Sequence, residues 1–140
     1  MAAHTARNAP ESFRARSLQA SLTVADLEAS LAWYRDVMAF TVEDRYERDG
    51  KVTSVSLKAG DVRILINQDD GAKGHDRVKG LGFSLQFTTI QDIDELADNI
   101  RKRGGTLATE PMDAPWGPRL FRVVDPDGYK FTISSPRDAV

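Results

Sequence analysis

The chain has 140 residues, of which 41% are hydrophobic and 29% charged, and its formal net charge is -2. This balance predicts one soluble globular domain, and the interspersed charges argue against binding to nucleic acid or a membrane surface. The chain contains no cysteine, which excludes disulfides, cysteine-ligated metals and thiol nucleophiles. Because it also lacks an apolar run long enough for a membrane span and an apolar signal-peptide core, we expect a cytoplasmic protein.

The first half of the chain predicts a strand, a helix and three further strands. Residues 17–24 alternate apolar and polar side chains, which is typical of a strand with one buried face. Asp26 is placed to begin a helix that apolar residues at helical spacing continue to Met38. Three strand candidates follow, at residues 41–48, 52–58 and 61–67.

The second half repeats this order. Residues 82–89 alternate as a strand, Asp92 with Glu95 begins a helix in the manner of a capping box, and Gly104-Gly105 ends it. Strand candidates follow near residues 106–109, 120–124 and 129–134, with a turn at 125–128. The shared order, at an offset of roughly 65 residues, indicates an internal duplication.

The duplication suggests how the chain is divided. We expect a flexible leader (1–15), a single domain (16–136) and a short tail (137–140). Within the domain we place module one at 16–67, a polar linker at 68–80 and module two at 81–135. Two paired βαβββ modules predict an α+β fold, an incomplete barrel whose apolar faces lie under the helices and whose polar faces line a concave cleft. The linker permits pairing within one chain or exchange between two chains.

Two motifs carry a resemblance to a known family. Residues 24–40 (VADLEASLAWYRDVMAF) in the first half, and Trp116-Gly117 with DPDGY at 125–129 in the second, resemble the vicinal-oxygen-chelate superfamily of glyoxalases, bleomycin-resistance proteins and extradiol dioxygenases. The resemblance covers residues 18–135. One departure is Ala39, where the family usually has glycine. The resemblance implies a divalent metal held by four strand positions, which in this chain are Gln19, Leu65, Ser84 and Thr132.

These four positions do not form a usual ligand set. Leu65 offers no lone pair, the two hydroxyl positions are weak neutral donors, and only Gln19 is comparable to a known ligand type. The two histidines, His4 and His75, fall in the predicted leader and linker, where surface imidazoles are common. His75 could still reach a cleft from a partner subunit. We therefore predict no metal and no other cofactor.

Strand alternation predicts which side chains line the cleft. Arg63 would anchor an anion or carbonyl group there, or else pair with Glu43 or Asp61 at the rim. Trp116 would stack on a flat ligand, or else pack on its own proline-rich loop, and Arg119 would place a charge beside it. A cavity filled only with water is the alternative to a ligand. The predicted ligand-binding residues are Gln19, Ser21, Arg63, Leu65, Asn67, Ser84, Gln86, Trp116, Arg119 and Thr132.

Residues of second rank complete the prediction. Tyr46 and Phe121 are further cleft candidates, and Trp33 is expected in the core or in a dimer interface. Glu110 is the nearest candidate acid, although a lone rim glutamate is usually solvated. No catalytic residue is predicted.

Three functions remain open at this point. The first is metal-free binding or sequestration of a small polar or flat aromatic molecule, which the resemblance to the bleomycin-resistance branch implies, together with a homodimer that shares the cleft. The second is a lyase, isomerase or dioxygenase with a degenerate metal site, or a metal-independent enzyme using Gln19, Arg63 and Glu110. The third is a protein-interaction module without a small ligand.

Overall fold

The computed structural model describes residues 13–136, in which the predicted order of elements occurs twice. Module one contains β1 (Ala20–Val24), α1 (Leu27–Ala32) with a following π-helical turn (Trp33–Val37), β2 (Thr41–Arg48), β3 (Lys51–Ala59) and β4 (Val62–Gln68). Module two contains β5 (Leu85–Thr88), α2 (Ile93–Lys102), β6 (Thr109–Asp113), β7 (Arg119–Val124) and β8 (Lys130–Ser135). Within residues 13–136 no helix is long and apolar enough to cross a membrane.

Each module forms its own four-stranded sheet, in the orders β1-β4-β3-β2 and β5-β8-β7-β6. In both sheets the first strand is parallel to the last strand of the module, and the other pairs are antiparallel. The predicted βαβββ duplication and the α+β class are therefore confirmed. The sheets remain open, because no strand of one is paired with a strand of the other within the described residues.

Several strand boundaries differ from the prediction. The β1 ladder begins at the pair Ala20–Ile64, so residues 17–19 precede the strand. Likewise β5 begins at Leu85 rather than at residue 82. The strand predicted at 106–109 lies instead at Thr109–Asp113, because these residues are the ones opposite β7. Strand ends are thus determined by the partner strand, which local alternation does not reveal.

One apolar core serves both modules. The inward faces of the sheets contribute alternate residues such as Leu22, Ile66, Phe121 and Phe131, and both helices pack against the same cluster. Since each sheet directs its apolar face toward this shared core, the two polar faces point away from it.

The helices begin where the sequence predicts. The Asp26 carboxylate accepts a hydrogen bond from the Ala29 N–H at 3.2 Å, and the Asp92 carboxylate accepts one from the Glu95 N–H at 3.0 Å. After the π-helical turn, Ala39 adopts a left-handed conformation with φ of 62°. The resembled family usually has glycine at this position. The left-handed conformation costs an alanine about 1 kcal/mol.

The modules are joined through the turn at residues 125–128, which we call the aspartate turn. The Tyr34 hydroxyl donates to Asp125 Oδ2 at 2.7 Å, and the Ala25 N–H donates to Asp127 Oδ1 at 2.8 Å. Just after the turn, the Tyr129 hydroxyl donates to the carbonyl of Thr23 at 2.8 Å. Module two thereby binds the beginning of α1 in module one.

The predicted linker packs against the same turn. Asp69 and Lys79 form a buried ion pair with 3.0 Å between Oδ2 and Nζ. Gly80 has φ of 78°, and a Cβ atom there would lie 2.6 Å from the carbonyl oxygen of Gly128. The two ends of the segment 69–80 are therefore packed, whereas most residues between them are exposed.

Candidate functional site

The polar face of the first sheet brings together three of the predicted residues. Ser21 and Leu65 are paired across β1 and β4, and Asn67 lies two residues along the same strand. Asn67 Nδ2 donates to Ser21 Oγ at 2.9 Å, and Ser54 Oγ donates to Asn67 Oδ1 at 2.7 Å. This network ties three strands together, so much of the hydrogen-bonding capacity of Asn67 is used within the sheet.

Arg63 pairs with Glu43, which is the rim arrangement considered as the alternative to an anion anchor. Arg63 Nε donates to Glu43 Oε1 at 2.8 Å, and a terminal nitrogen donates to Oε2 at 3.3 Å. The guanidinium holds the pKa of the Glu43 carboxyl below its usual value, chiefly through the hydrogen bond. A ligand anion would therefore have to compete with this carboxylate.

The polar face of the second sheet brings together Gln86 and Thr132, which are directly opposite each other on β5 and β8. Thr132 is 8% exposed. Gln86 is exposed, and no hydrogen bond of its side chain occurs within the described chain. An amide with both donor and acceptor free thus lies beside a buried hydroxyl group.

Three other predicted residues lie at the margins of these faces. Gln19 and Ser84 precede β1 and β5 and are exposed, so neither is fixed by a strand. Trp116 is 69% exposed at the tip of the β6–β7 hairpin. It neither packs on a neighbouring ring nor covers the sheet in this part of the structure.

Arg119 lies away from the other predicted residues. It shares the helix-covered side of β7 with Phe121, two positions on, and forms ion pairs with Asp94 of α2 at 2.8 Å and with Asp113 of β6 at 3.2 Å. These two carboxylates raise the pKa of the Arg119 guanidinium. Its placement beside Trp116 over a cleft does not agree with the structure, because alternation from Phe121 places it on the opposite face.

The residues of second rank are divided between core and surface. Phe121 is fully buried in the core, which disagrees with its placement in the cleft, whereas Tyr46 is half-exposed. Trp33 packs edge-on against Tyr34, with 4.8 Å between ring centroids, as expected for a core residue. Glu110 pairs with Arg101, and His75 is exposed beside the backbone of Gly71.

The residues at the four positions where the resemblance implies a metal do not fit a divalent cation. Leu65 is aliphatic, Thr132 is a neutral hydroxyl on the other sheet, and the other two positions lie outside the strands. In residues 13–136 there is no group of three or more His, Asp or Glu side chains placed to hold a metal ion. Neutral oxygen donors alone compensate poorly for the dehydration of a divalent cation.

An open groove lies between the modules on the helix side, and the sequence did not predict it. It has a volume of about 790 Å³ and is bounded by residues 38–40 after the π-helical turn, the β3–β4 turn, β5 and α2. Its formation depends on how the two modules pack, so no single segment of the sequence carries a signal for it. Arg103, which borders the groove, is the last of three consecutive basic residues (101–103) at the C-terminal end of α2.

Comparisons with known proteins agree with this architecture. The sequence model described as "Glyoxalase/Bleomycin resistance protein/Dioxygenase superfamily" matches residues 16–133. A lactoylglutathione lyase from Arabidopsis thaliana is 26% identical over 89% of this chain, which spans only 45% of that protein's length. A probable lactoylglutathione lyase from Synechocystis is 28% identical over 86% of this chain and 98% of its own length. A Sphaerobacter thermophilus structure of the same superfamily has a TM-score of 0.71, with 24% identity over 87% of this chain and 98% of its own.

Proposed function

Because the chain belongs to the Glyoxalase/Bleomycin resistance protein/Dioxygenase superfamily, we propose that it binds a small polar or flat aromatic molecule without using a metal. The observation that carries this proposal is the unpartnered Gln86 amide beside Thr132 on the uncovered face of the second sheet. An amide offers a donor and an acceptor side by side, which suits a heteroaromatic ring or a carbonyl group. The absence of a suitable ligand set at the family's metal positions supports binding rather than metal-assisted catalysis.

The site would be completed by a second copy of the chain. β1 and β5 are each the first strand in their sheet order, so each leaves one edge without a hydrogen-bonded neighbour in the described chain. Such edges are usually covered in a stable assembly. Leu81 and Phe83, just before β5, are 72% and 46% exposed. A homodimer that covers these edges would place a polar face of one subunit beside a polar face of the other.

A thermal-shift and calorimetric titration tests the proposal. The probes are metal-free bleomycin, acridine and quinoxaline, applied to chelator-treated protein. A probe at 100 times its dissociation constant should stabilise the fold by about 2.7 kcal/mol. Gln86→Ala should weaken binding about tenfold, because one hydrogen bond is lost. The control is Glu28→Ala, at an exposed residue of α1 outside both polar faces, which should bind as the unaltered chain does.

A lyase acting on lactoylglutathione is the second candidate, and the names of the relatives favour it. An identity of 24–28% is too low for the activity of these relatives to be assigned to this chain. Incubation with lactoylglutathione and added Zn²⁺, Ni²⁺ or Mn²⁺ tests it directly. Turnover that requires the metal and saturates with substrate would replace the binding proposal. The cytoplasmic location stays a prediction.

A further inference from the structure

The groove between the modules has the size and lining of a small-molecule site. Its volume of about 790 Å³ lies within the range of roughly 300–1,000 Å³ that is typical of ligand pockets. It lies on the helix side of the sheets, whereas the function proposed above concerns their polar faces. The groove is therefore a separate site.

The floor of the groove is apolar and reaches down to the core. Five large side chains from both modules line it, namely Phe40, Phe87, Ile100, Phe121 and Ile133. Four of these are nearly or fully buried, with exposures of 9% or less. An apolar ligand body in this position would replace water against aromatic and branched aliphatic side chains, which is favourable in proportion to the area covered.

The rim carries one positioned cation, Arg103. Its Nε donates to the carbonyl of Val37 at 2.8 Å, so the guanidinium is held across the module boundary. The neighbouring Arg101 pairs with Asp98 and Glu110, whereas Arg103 forms no ion pair within residues 13–136. Its terminal nitrogens are therefore available to a carboxylate, the group that a planar guanidinium binds best.

One acidic side chain also borders the groove, but it does not cancel the attraction of Arg103 for a carboxylate. Asp61 lies in the β3–β4 turn. Its charge acts on Arg63, whose pKa is raised chiefly by Glu43 and additionally by Asp61. Asp61 is thus partly compensated on its own hairpin, whereas Arg103 has no such compensation.

From these features we propose that the groove binds a small carboxylic acid with an apolar aliphatic or aromatic body. The body occupies the aromatic floor, and the carboxylate accepts hydrogen bonds from Arg103. Gln91 and Asn99, which also border the groove, offer amide donors near the rim for a ligand with a second polar group.

Isothermal titration with octanoate, and with 1-octanol as a probe of the same chain length without charge, tests this site. We expect saturable binding of octanoate that weakens about tenfold in Arg103→Gln, as the loss of a charge-assisted hydrogen bond predicts. Binding of 1-octanol should be unchanged in this variant. Arg101→Gln, two residues away at the same end of α2, is the matched control and should leave octanoate binding unaltered.

Two further variants locate the site. Leu96→Trp, which fills the groove from α2, should abolish octanoate binding, with its melting temperature measured to confirm that it folds. Gln86→Ala should retain octanoate binding, since it alters only the polar face; a failure of the function proposed above therefore leaves this result untouched. The inference is overturned if octanoate does not saturate, if Arg103→Gln binds it normally, or if folded Leu96→Trp binds it normally.

Discussion

The aspartate turn and the polar face of the second sheet are both rich in polar groups, but these groups differ in whether they have hydrogen-bond partners. In the turn, Asp125 accepts hydrogen bonds from the Tyr34 hydroxyl and from the backbone N–H groups of Asp127 and Tyr129. On the sheet face, the Gln86 amide has no partner in the described chain. Polarity alone therefore does not indicate a binding site, since only the second region leaves hydrogen-bonding capacity for a ligand.

The electrostatics of the turn support its structural role. Burial, followed by the neighbouring Asp125 carboxylate, raises the pKa of Tyr34, so its hydroxyl stays protonated and donates. Burial likewise raises the pKa of Asp125, and the hydrogen bonds that it accepts oppose the rise. A desolvated carboxylate with three donors depends on all of them, so we expect the turn to be sensitive to substitution.

Asp125→Ala should break the turn and produce the largest effect. It leaves a tyrosine hydroxyl and two backbone N–H groups without their acceptor, which should cost about 3–5 kcal/mol of the free energy of unfolding. Urea denaturation followed by tryptophan fluorescence measures this. Asp61→Ala, at an exposed aspartate, is the control and should change stability by less than about 0.5 kcal/mol. Equal effects of the two variants would contradict the structural role of the turn.

Gly80→Ala should separate the linker from the same turn. The new Cβ atom would meet the Gly128 carbonyl oxygen at 2.6 Å, at a residue with φ of 78°, and should cost about 2–4 kcal/mol. Gly60→Ala is the matched control, since its φ is 60° and nothing lies within 4 Å of the added atom. The control should lose only about 1 kcal/mol of the free energy of unfolding, because alanine is strained in the left-handed conformation but meets no clash there. If both variants lose the same amount in urea denaturation, the linker does not pack as described.

Asp69→Asn should make the linker's contribution to stability independent of pH. The Gly71 N–H, together with Lys79, holds the pKa of the Asp69 carboxyl below its usual value. Because the folded-state pKa is lower than the unfolded value of about 3.9, Asp69 stabilises the fold above about pH 4. This contribution is lost as the pH falls through the folded-state pKa. The variant should therefore be less stable than the unaltered chain at pH 7, and the difference should shrink on acidification; a constant difference would contradict this.

Ala39→Gly should have the smallest effect on the free energy of unfolding, and it should raise this free energy where the other variants lower it. Ala39 is exposed and left-handed, with φ of 62°, so glycine removes strain without removing a buried contact. We expect a gain of about 0.5–1 kcal/mol in the free energy of unfolding, offset in part by the greater freedom of glycine in the unfolded chain. Ala29→Gly, inside α1, is the control and should lose about 1 kcal/mol. A loss in both variants would show that Ala39 is not strained.

Much of the fold could be predicted because each strand has one buried face. Leu22 and Val24 in the first module, like Leu85 and Phe87 in the second, alternate with polar residues, and this pattern located seven of the eight strands approximately. The position of β6 could not be predicted in the same way. Its ladder with β7 is irregular between Thr109 and Met112, so its alternation is broken.

The candidate site was predicted in part. Alternation assigned both Gln86 and Thr132 to the polar face, and the structure pairs them directly across β5 and β8. Arg119 and Phe121, two positions apart on β7, were both assigned to the cleft, whereas both lie on the helix-covered side. Ion pairs such as Arg63–Glu43, and the groove beside Arg103, depend on contacts between distant segments. Such contacts leave no local pattern in the sequence.

Equilibrium dialysis with acridine tests most directly whether the free polar groups of the second sheet bind a ligand without a metal. The unaltered chain and Gln86→Ala are compared after chelator treatment and again after Zn²⁺ or Ni²⁺ is added. We predict saturable binding that is the same with and without metal and about tenfold weaker in Gln86→Ala. Binding that occurs only after a metal is added, or that is unchanged in Gln86→Ala, would contradict the account.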